Sequence, residues 1–187
     1  MIDEVIIEQV TPPPQTSAVA WGAVIAGTVV ALGTGLIFAA LGAGFAAGSL
    51  AAWPNAGHNL THFSAMTGAW IIIGQWMSIG LGAYLTGRLR TRWHGLHTHE
   101  VFFRDTANGL VTWAVATVVV AGLGAVTTSL GAPDAALAAQ TLTPDAAQAA
   151  AKAAAGFSIF TAVSLLVGAF VACIAAALGG QERDKHA

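Results

Sequence analysis

No Asp, Glu, Lys or Arg occurs between Glu8 and Arg88, a stretch of 79 residues that is almost entirely apolar or small. Such a stretch cannot be the interior of a soluble domain of this size, whereas a helix needs only ~20 apolar residues to cross hydrocarbon. Charged residues are 9% of the chain, against ~25% in soluble domains, and that deficit places it among integral membrane proteins. Hydrophobic residues make up 56% and mean hydropathy is +0.70. The formal net charge of −2 is too small to suggest a nucleic-acid partner. Cys173 is the single cysteine, so no intrachain disulfide can form. The opening MIDEVIIEQVTPPPQ has no Lys or Arg, which argues against a cleavable secretory signal and for a retained first span.

Other absences concern chemistry. No histidine lies mid-span, so the chain alone has no axial ligand for a haem or chlorophyll at the bilayer centre. No carboxylate or cation falls within the expected hydrocarbon, which removes the usual apparatus of proton relays, ion-coupled transport and voltage sensing. There is no G-x-S-x-G, no P-loop and no paired-carboxylate arrangement. Gly42-x-Gly44 with Gly48 has no preceding strand and sits in an apolar helix, so it is not a nucleotide loop. No catalytic residue and no cofactor is assigned, and an enzyme is not expected.

What remains reads as four helical spans, near residues 17–47, 63–87, 106–130 and 156–179, in an all-α up-down bundle. Residues 1–16 form an arm that three consecutive prolines keep extended, and 181–187 a tail. Thr16 or Ser17 is placed to cap the first helix. Arg88, Arg90, Arg92 and Arg104 flank the central loop, Arg183 and Lys185 lie in the tail, and only Lys152 falls on the other side. Six cations against one put the 88–105 loop and both termini in the cytoplasm. The four loop arginines then serve as lipid-headgroup contacts, each worth ~1 kcal/mol near an anionic leaflet. Trp21, Tyr84 and Trp93 mark the inner interface and Trp53 the outer, while Trp76 stands mid-span beside Gln75, the one polar mid-membrane spot worth testing as a small-ligand contact.

The first apolar segment, continued as a helix over 17–52, would measure ~54 Å against ~30 Å of hydrocarbon. Its outer third must tilt, unwind or stand clear. Small residues recur every four positions at Ala23, Gly27, Ala31, Gly35 and Ala39, and again at Gly168, Ala172 and Ala176. That spacing lets helix backbones approach, the usual basis of packing in lipid. WGAVIAGTVVALG from Trp21 resembles WAVATVVVAGLG from Trp113, so the two hairpins can be read as a parallel repeat. Thr143-Pro144-Asp145 is a helix start, from which the fourth helix projects ~15–18 Å beyond the membrane.

His94, His97, His99 and Glu100 offer metal-ligand chemistry within seven residues, but HxxHxH matches no closed zinc spacing and a solvated loop is the commoner outcome. His58 and His62 form an i, i+4 pair on the opposite side, again more ordinary as waterside histidines. Asn59-Leu60-Thr61 is a glycosylation sequon that matters only in a secretory pathway.

AWGAVIAGTVVALG, WIIIGQWMSIGLGAYLTGRL and NGLVTWAVATVV together resemble a group of uncharacterised bacterial integral membrane proteins often labelled "PhnA-like". The resemblance covers roughly residues 18–120. It implies a bacterial inner membrane and four helices, and supplies no catalytic residues. The expected function is a non-catalytic accessory subunit of a larger membrane complex of respiratory or photosynthetic type, contacting lipid and either other subunits or copies of itself. The alternative is a homo-oligomeric pore or uncoupled small-solute facilitator.

Overall fold

The computed structural model describes residues 17–52, 60–91, 97–140 and 142–185. Four helices account for nearly all of them: α1 (Trp21–Ala52), α2 (Leu60–Leu89), α3 (Thr98–Gln140) and α4 (Pro144–Lys185). Each contains a stretch long and apolar enough to cross a membrane, at Trp21–Phe45, Gly68–Leu89, Thr98–Leu130 and Ser158–Lys185. The protein is thus an all-helical, multi-pass membrane protein. The arm 1–16, with its prolines and Thr16, lies outside the described residues, as do Trp53, His58, Arg92, Trp93 and His94; His62 is on α2.

Contacts fix the directions. Thr86 near the end of α2 meets Ala23 near the start of α1, and Trp70 meets Phe38, so α1 and α2 are antiparallel. Trp76 reaches Ser164 and Gly179 abuts Tyr84, so α2 and α4 run parallel. Gly109 abuts Ala172 and Gly168 faces Trp113, so α3 returns against α4. The bundle therefore has a terminal end, where the described chain begins and finishes beside the α2–α3 connection, and a distal end.

Several boundaries depart from the sequence reading. The α2–α3 connection is short because α3 starts at Thr98 rather than 106. The His97 carbonyl accepts the first helical N–H groups, from Glu100 (3.0 Å) and Val101 (3.1 Å), and Glu100 pairs with Arg104 at i, i+4 (2.6 Å). At the other end the Ala-rich stretch after Leu130 continues as helix to Gln140 instead of forming a loop. Alanine is the best helix former, and Pro133 removes only one intrahelical donor. The start of α4 is as expected: the Thr143 hydroxyl accepts from Ala146 N (3.4 Å), with Pro144 first and Asp145 second in the helix. The start of α1 is not. Ser17 bonds only Val19 N (3.3 Å), and α1 opens at Trp21 under a side chain from α3, described below.

The core is small residues and backbone. Ala31, Ile79, Ala83, Ala116, Ala172 and Ala176 form one buried cluster, with Trp113 packed against it. A methyl on Gly27 would run into the Gly82 carbonyl and the Thr86 hydroxyl, and one on Gly87 into the Ala176 carbonyl. Of the α1 ladder, Ala23, Gly27 and Ala31 are buried against α2 and Gly35 lies beside Ser78, but Ala39 is exposed. A row with period four drifts ~40° per step around a 3.6-residue helix, so it leaves the interface after a few turns. Contact passes to Gly42 and Phe38, which seat the Trp70 indole; its Nε1 donates to the Phe38 carbonyl (2.9 Å). In the α4 ladder Ala172 and Ala176 are fully buried.

Leucine at position 27 should therefore wedge α1 from α2, costing ~3 kcal/mol or more. Leucine at Gly33, where a side chain meets nothing within 4 Å, should leave the isolated protein within ~0.5 kcal/mol of the parent. Unfolding of the two variants in mild detergent, titrated with a denaturing detergent, measures the contrast.

Candidate functional site

Polar side chains gather in two tiers inside the bundle. The first closes the terminal end. Arg90 follows the last residue of α2, and its guanidinium reaches Asp105 about two turns into α3, with Nε and Nη2 donating to the two carboxylate oxygens. Both side chains are almost wholly buried. This two-pronged geometry suits a planar guanidinium and fixes direction as well as distance. Gly180 on α4 makes the space: any side chain there would collide with the Asp105 carboxylate. The end of α4 covers the pair, with Asp184 Oδ2 3.8 Å from Arg90 Nη2. Arg183 binds Asp184 and donates to the Arg90 carbonyl (2.7 Å).

Asn108, one turn beyond Asp105, ties in α1. Its side-chain oxygen accepts from Ala20 N (2.8 Å), and its amide nitrogen donates to the carbonyls of Arg104 (2.7 Å) and Ala18 (3.4 Å). A further turn in, the hydroxyls of Thr86 and Thr112 stand 2.9 Å apart. Thr86 lies beside the Gly82 and Ala23 carbonyls, and Thr112 beside that of Asn108. Asp105, Asn108 and Thr112 occupy one face of α3 at i, i+3 and i+7, and Ser78, Gly82, Thr86 and Arg90 one row of α2 at i+4 spacing. All four helices thus meet in one hydrogen-bonded node. Its chemistry is electrostatic and mechanical: two opposite charges neutralise each other out of solvent, and the hydroxyl and amide groups bond backbone.

The second tier lies deeper. Gln75 Oε1 accepts from Ser164 Oγ (3.0 Å), and Trp76 Nε1 donates to the Ser164 carbonyl (3.3 Å). The unusual mid-span Gln-Trp pair thus joins α2 to α4. Trp113 lies beside Gln75 at Gly168, with its indole nitrogen buried and without a hydrogen-bond partner among the described residues.

The residues read from the sequence fall out as follows. Gln75 is a helix-to-helix contact. Arg90 parts from the other arginines: it turns inward into the buried pair, while Arg88 is half-buried and Arg104 holds Glu100. His97 and His99 sit at the start of α3 with Glu100 engaged by Arg104; among the described residues no three His, Cys, Asp or Glu side chains group as metal ligands. Asp105, Asn108, Thr86, Thr112 and Ser164 escaped sequence reasoning, and Arg183 was read only as a tail cation. Their helical spacing was the available signal.

Comparison with protein-family models, curated proteins and solved structures finds no match for this chain.

Asp105→Ala and Arg90→Ala should each cost ~3–5 kcal/mol, because either leaves a buried charge unpaired. The double variant Arg90→Met with Asp105→Leu should recover most of that loss. A double-mutant cycle of unfolding free energies in detergent, with the same Met and Leu replacements also made singly, tests this; a double-variant loss equal to the sum of the two single losses would show the pair to be uncoupled.

Proposed function

We propose that this protein is a non-catalytic accessory subunit that packs against and stabilises a larger complex in a bacterial inner membrane, with its terminal end in the cytoplasm. One observation carries the reading. On α3 every residue from 118 to 130 is exposed, from Val118 (71%) to Leu130 (78%), and Gly122 and Gly124 meet nothing within 4 Å. Valine and leucine suit lipid on their own. Glycine does not, because it offers lipid little apolar area and its advantage in a membrane helix is close approach of a second backbone. The outward face of α1 repeats the pattern, with Gly22, Gly33 and Gly44 three turns apart and each in open space.

Length supports the same reading. From Asp105 to Gln140 α3 rises ~53 Å, so with Asp105 held at the terminal end it outruns ~30 Å of hydrocarbon by ~20 Å. α4 matches it, and its first turns, 144–152, are largely exposed alanine. An alanine-rich pair of helices has little apolar area to hold itself together in water. A neighbouring subunit supplies that area. The positive-inside distribution favours the cytoplasmic placement, and the resemblance to bacterial four-span proteins favours the inner membrane.

The second reading, a homo-oligomeric conduit, draws on the exposed hydroxyls of Thr127, Thr128 and Ser129 on the same stretch of α3. Each bonds a carbonyl of its own helix, which also satisfies it in lipid.

Gentle solubilisation followed by native gels and mass spectrometry should find the chain in fixed stoichiometry with other membrane subunits. Gly122→Leu with Gly124→Leu should reduce that recovery ~10-fold without altering the stability of the isolated chain. Recovery as a monomer at native expression would refute the subunit reading. A band of this chain alone in several copies, with liposome flux lost on replacing Thr127, Thr128 and Ser129 by valine, would establish the conduit instead.

A further inference from the structure

The second polar tier is incomplete. Gln75 Oε1 is engaged by Ser164 Oγ, and Gln75 Nε2 is a donor with no acceptor among the described residues. Trp113 Nε1 is a second such donor, sealed from solvent. Both border the position where α4 lacks a side chain: a methyl built on Gly168 would stand 3.4 Å from Trp113 Nε1 and 3.8 Å from Gln75 Nε2. The three residues come from three helices. Along the axes Trp113 lies ~12 Å beyond Asp105 and Gln75 ~22 Å beyond Arg90, well inside the hydrocarbon. An unsatisfied donor at that depth is costly, because no bulk water is there to take the bond.

We propose that the notch over Gly168 is a binding site for one uncharged oxygen acceptor, held jointly by Trp113 Nε1 and Gln75 Nε2. Two donors and no acceptor select a carbonyl-like or water oxygen and reject a donor-only group. Charge selects against an anion: the nearest buried cation, Arg90, is already neutralised by Asp105. Size selects the tip of a molecule. A methyl on Gly168 would meet both nitrogens at ordinary van der Waals distance, which sizes the notch at about one heavy atom; the occupant is then either a water molecule or the carbonyl oxygen of a lipophilic ketone or quinone whose body stays in lipid. The site is independent of the subunit reading and can be examined on the isolated protein.

Indole-15N-labelled protein in nanodiscs, with the Trp113 resonance assigned from Trp113→Phe, provides the test. A water occupant gives a cross-relaxation peak between the Trp113 indole proton and water. A carbonyl occupant gives no such peak, but a saturable shift of that resonance on adding a short-chain benzoquinone or a membrane-soluble aliphatic ketone. In either case Gly168→Ala should abolish the signal and lower the thermal midpoint, although alanine is the better helix former. Gln75→Leu should weaken probe binding at least 10-fold, or remove the water peak, while Trp113 remains in place. Three results would overturn the proposal. One is absence of both the water peak and any probe-induced shift. Another is a raised midpoint in Gly168→Ala with an unmoved Trp113 resonance, which means an empty notch. The third is a hydrogen-bonded indole shift that survives Gly168→Ala and vanishes in Gln75→Leu, which assigns the acceptor to the Gln75 oxygen itself.

Discussion

Lipid tails are as apolar as leucine, so nothing in the hydrocarbon drives one greasy helix against another. Association has to come from close packing, hydrogen bonds and the few charges that can be neutralised. The bundle obeys this constraint at every crossing. Where α1 meets α2, Gly27 lies on Gly82; where α2 meets α4, Gly87 lies against Ala176 and Gly179 against Tyr84; where α3 meets α4, Gly109 lies on Ala172. At each, a methyl would strike backbone. The contacts are therefore main chain to main chain, and glycine is required for want of volume rather than for conformational freedom.

The buried Arg90–Asp105 pair belongs to the same scheme. A buried ion pair is poor evidence of stability in itself, since desolvation offsets much of the attraction, but one partner alone in that place would be severely destabilising. The pair accordingly acts as a registration device. The Asp105 carboxylate occupies the space that Gly180 vacates, and Asn108 holds the start of α1 from the next turn. Sliding α3 along α4 by one turn would part the charges and bury each alone. Specificity at the terminal end comes from this penalty on wrong registers more than from the strength of the right one.

Much of this was legible in the sequence, and what was hidden follows a rule. Span number, alternating direction and the start of α4 at Thr143 depend on long apolar runs and local capping, which a sequence displays directly. The ladder Ala23, Gly27 and Ala31 was visible too, although its extension to Ala39 overlooked the drift of a four-residue row. Arg90 was hidden by its neighbours: among four arginines clustered within 88–104, composition cannot tell which one turns inward. The choice is made by Asp105 across the loop. The first part of α3 was missed because charged residues at 100, 104 and 105 resemble loop, yet Glu100 with Arg104 is helical spacing. Trp113 could not be flagged at all, since an unpaired indole nitrogen is a property of three helices together.

The two ends of the bundle consequently differ in kind. Near the terminal end each helix has glycine, alanine or a hydrogen-bonding side chain facing a neighbour, and the described chain fills its own space. Beyond Ala116 on α3 and before Ser164 on α4 those contacts thin out, and the described side chains there are mostly exposed apolar residues and alanines. A chain selected only to hold itself together has no reason to carry α3 ~20 Å past the hydrocarbon with glycines turned outward. The proposed subunit role, presenting a surface to a neighbour, supplies one. The node of Arg90, Asp105, Asn108 and Thr112 would then hold the helices at a fixed angle, so that the distal surface meets its neighbour already ordered and loses less freedom on docking. On the subunit reading proposed above, the polar residues support docking from a distance, and the surface proposed to dock is the one with the least chemistry.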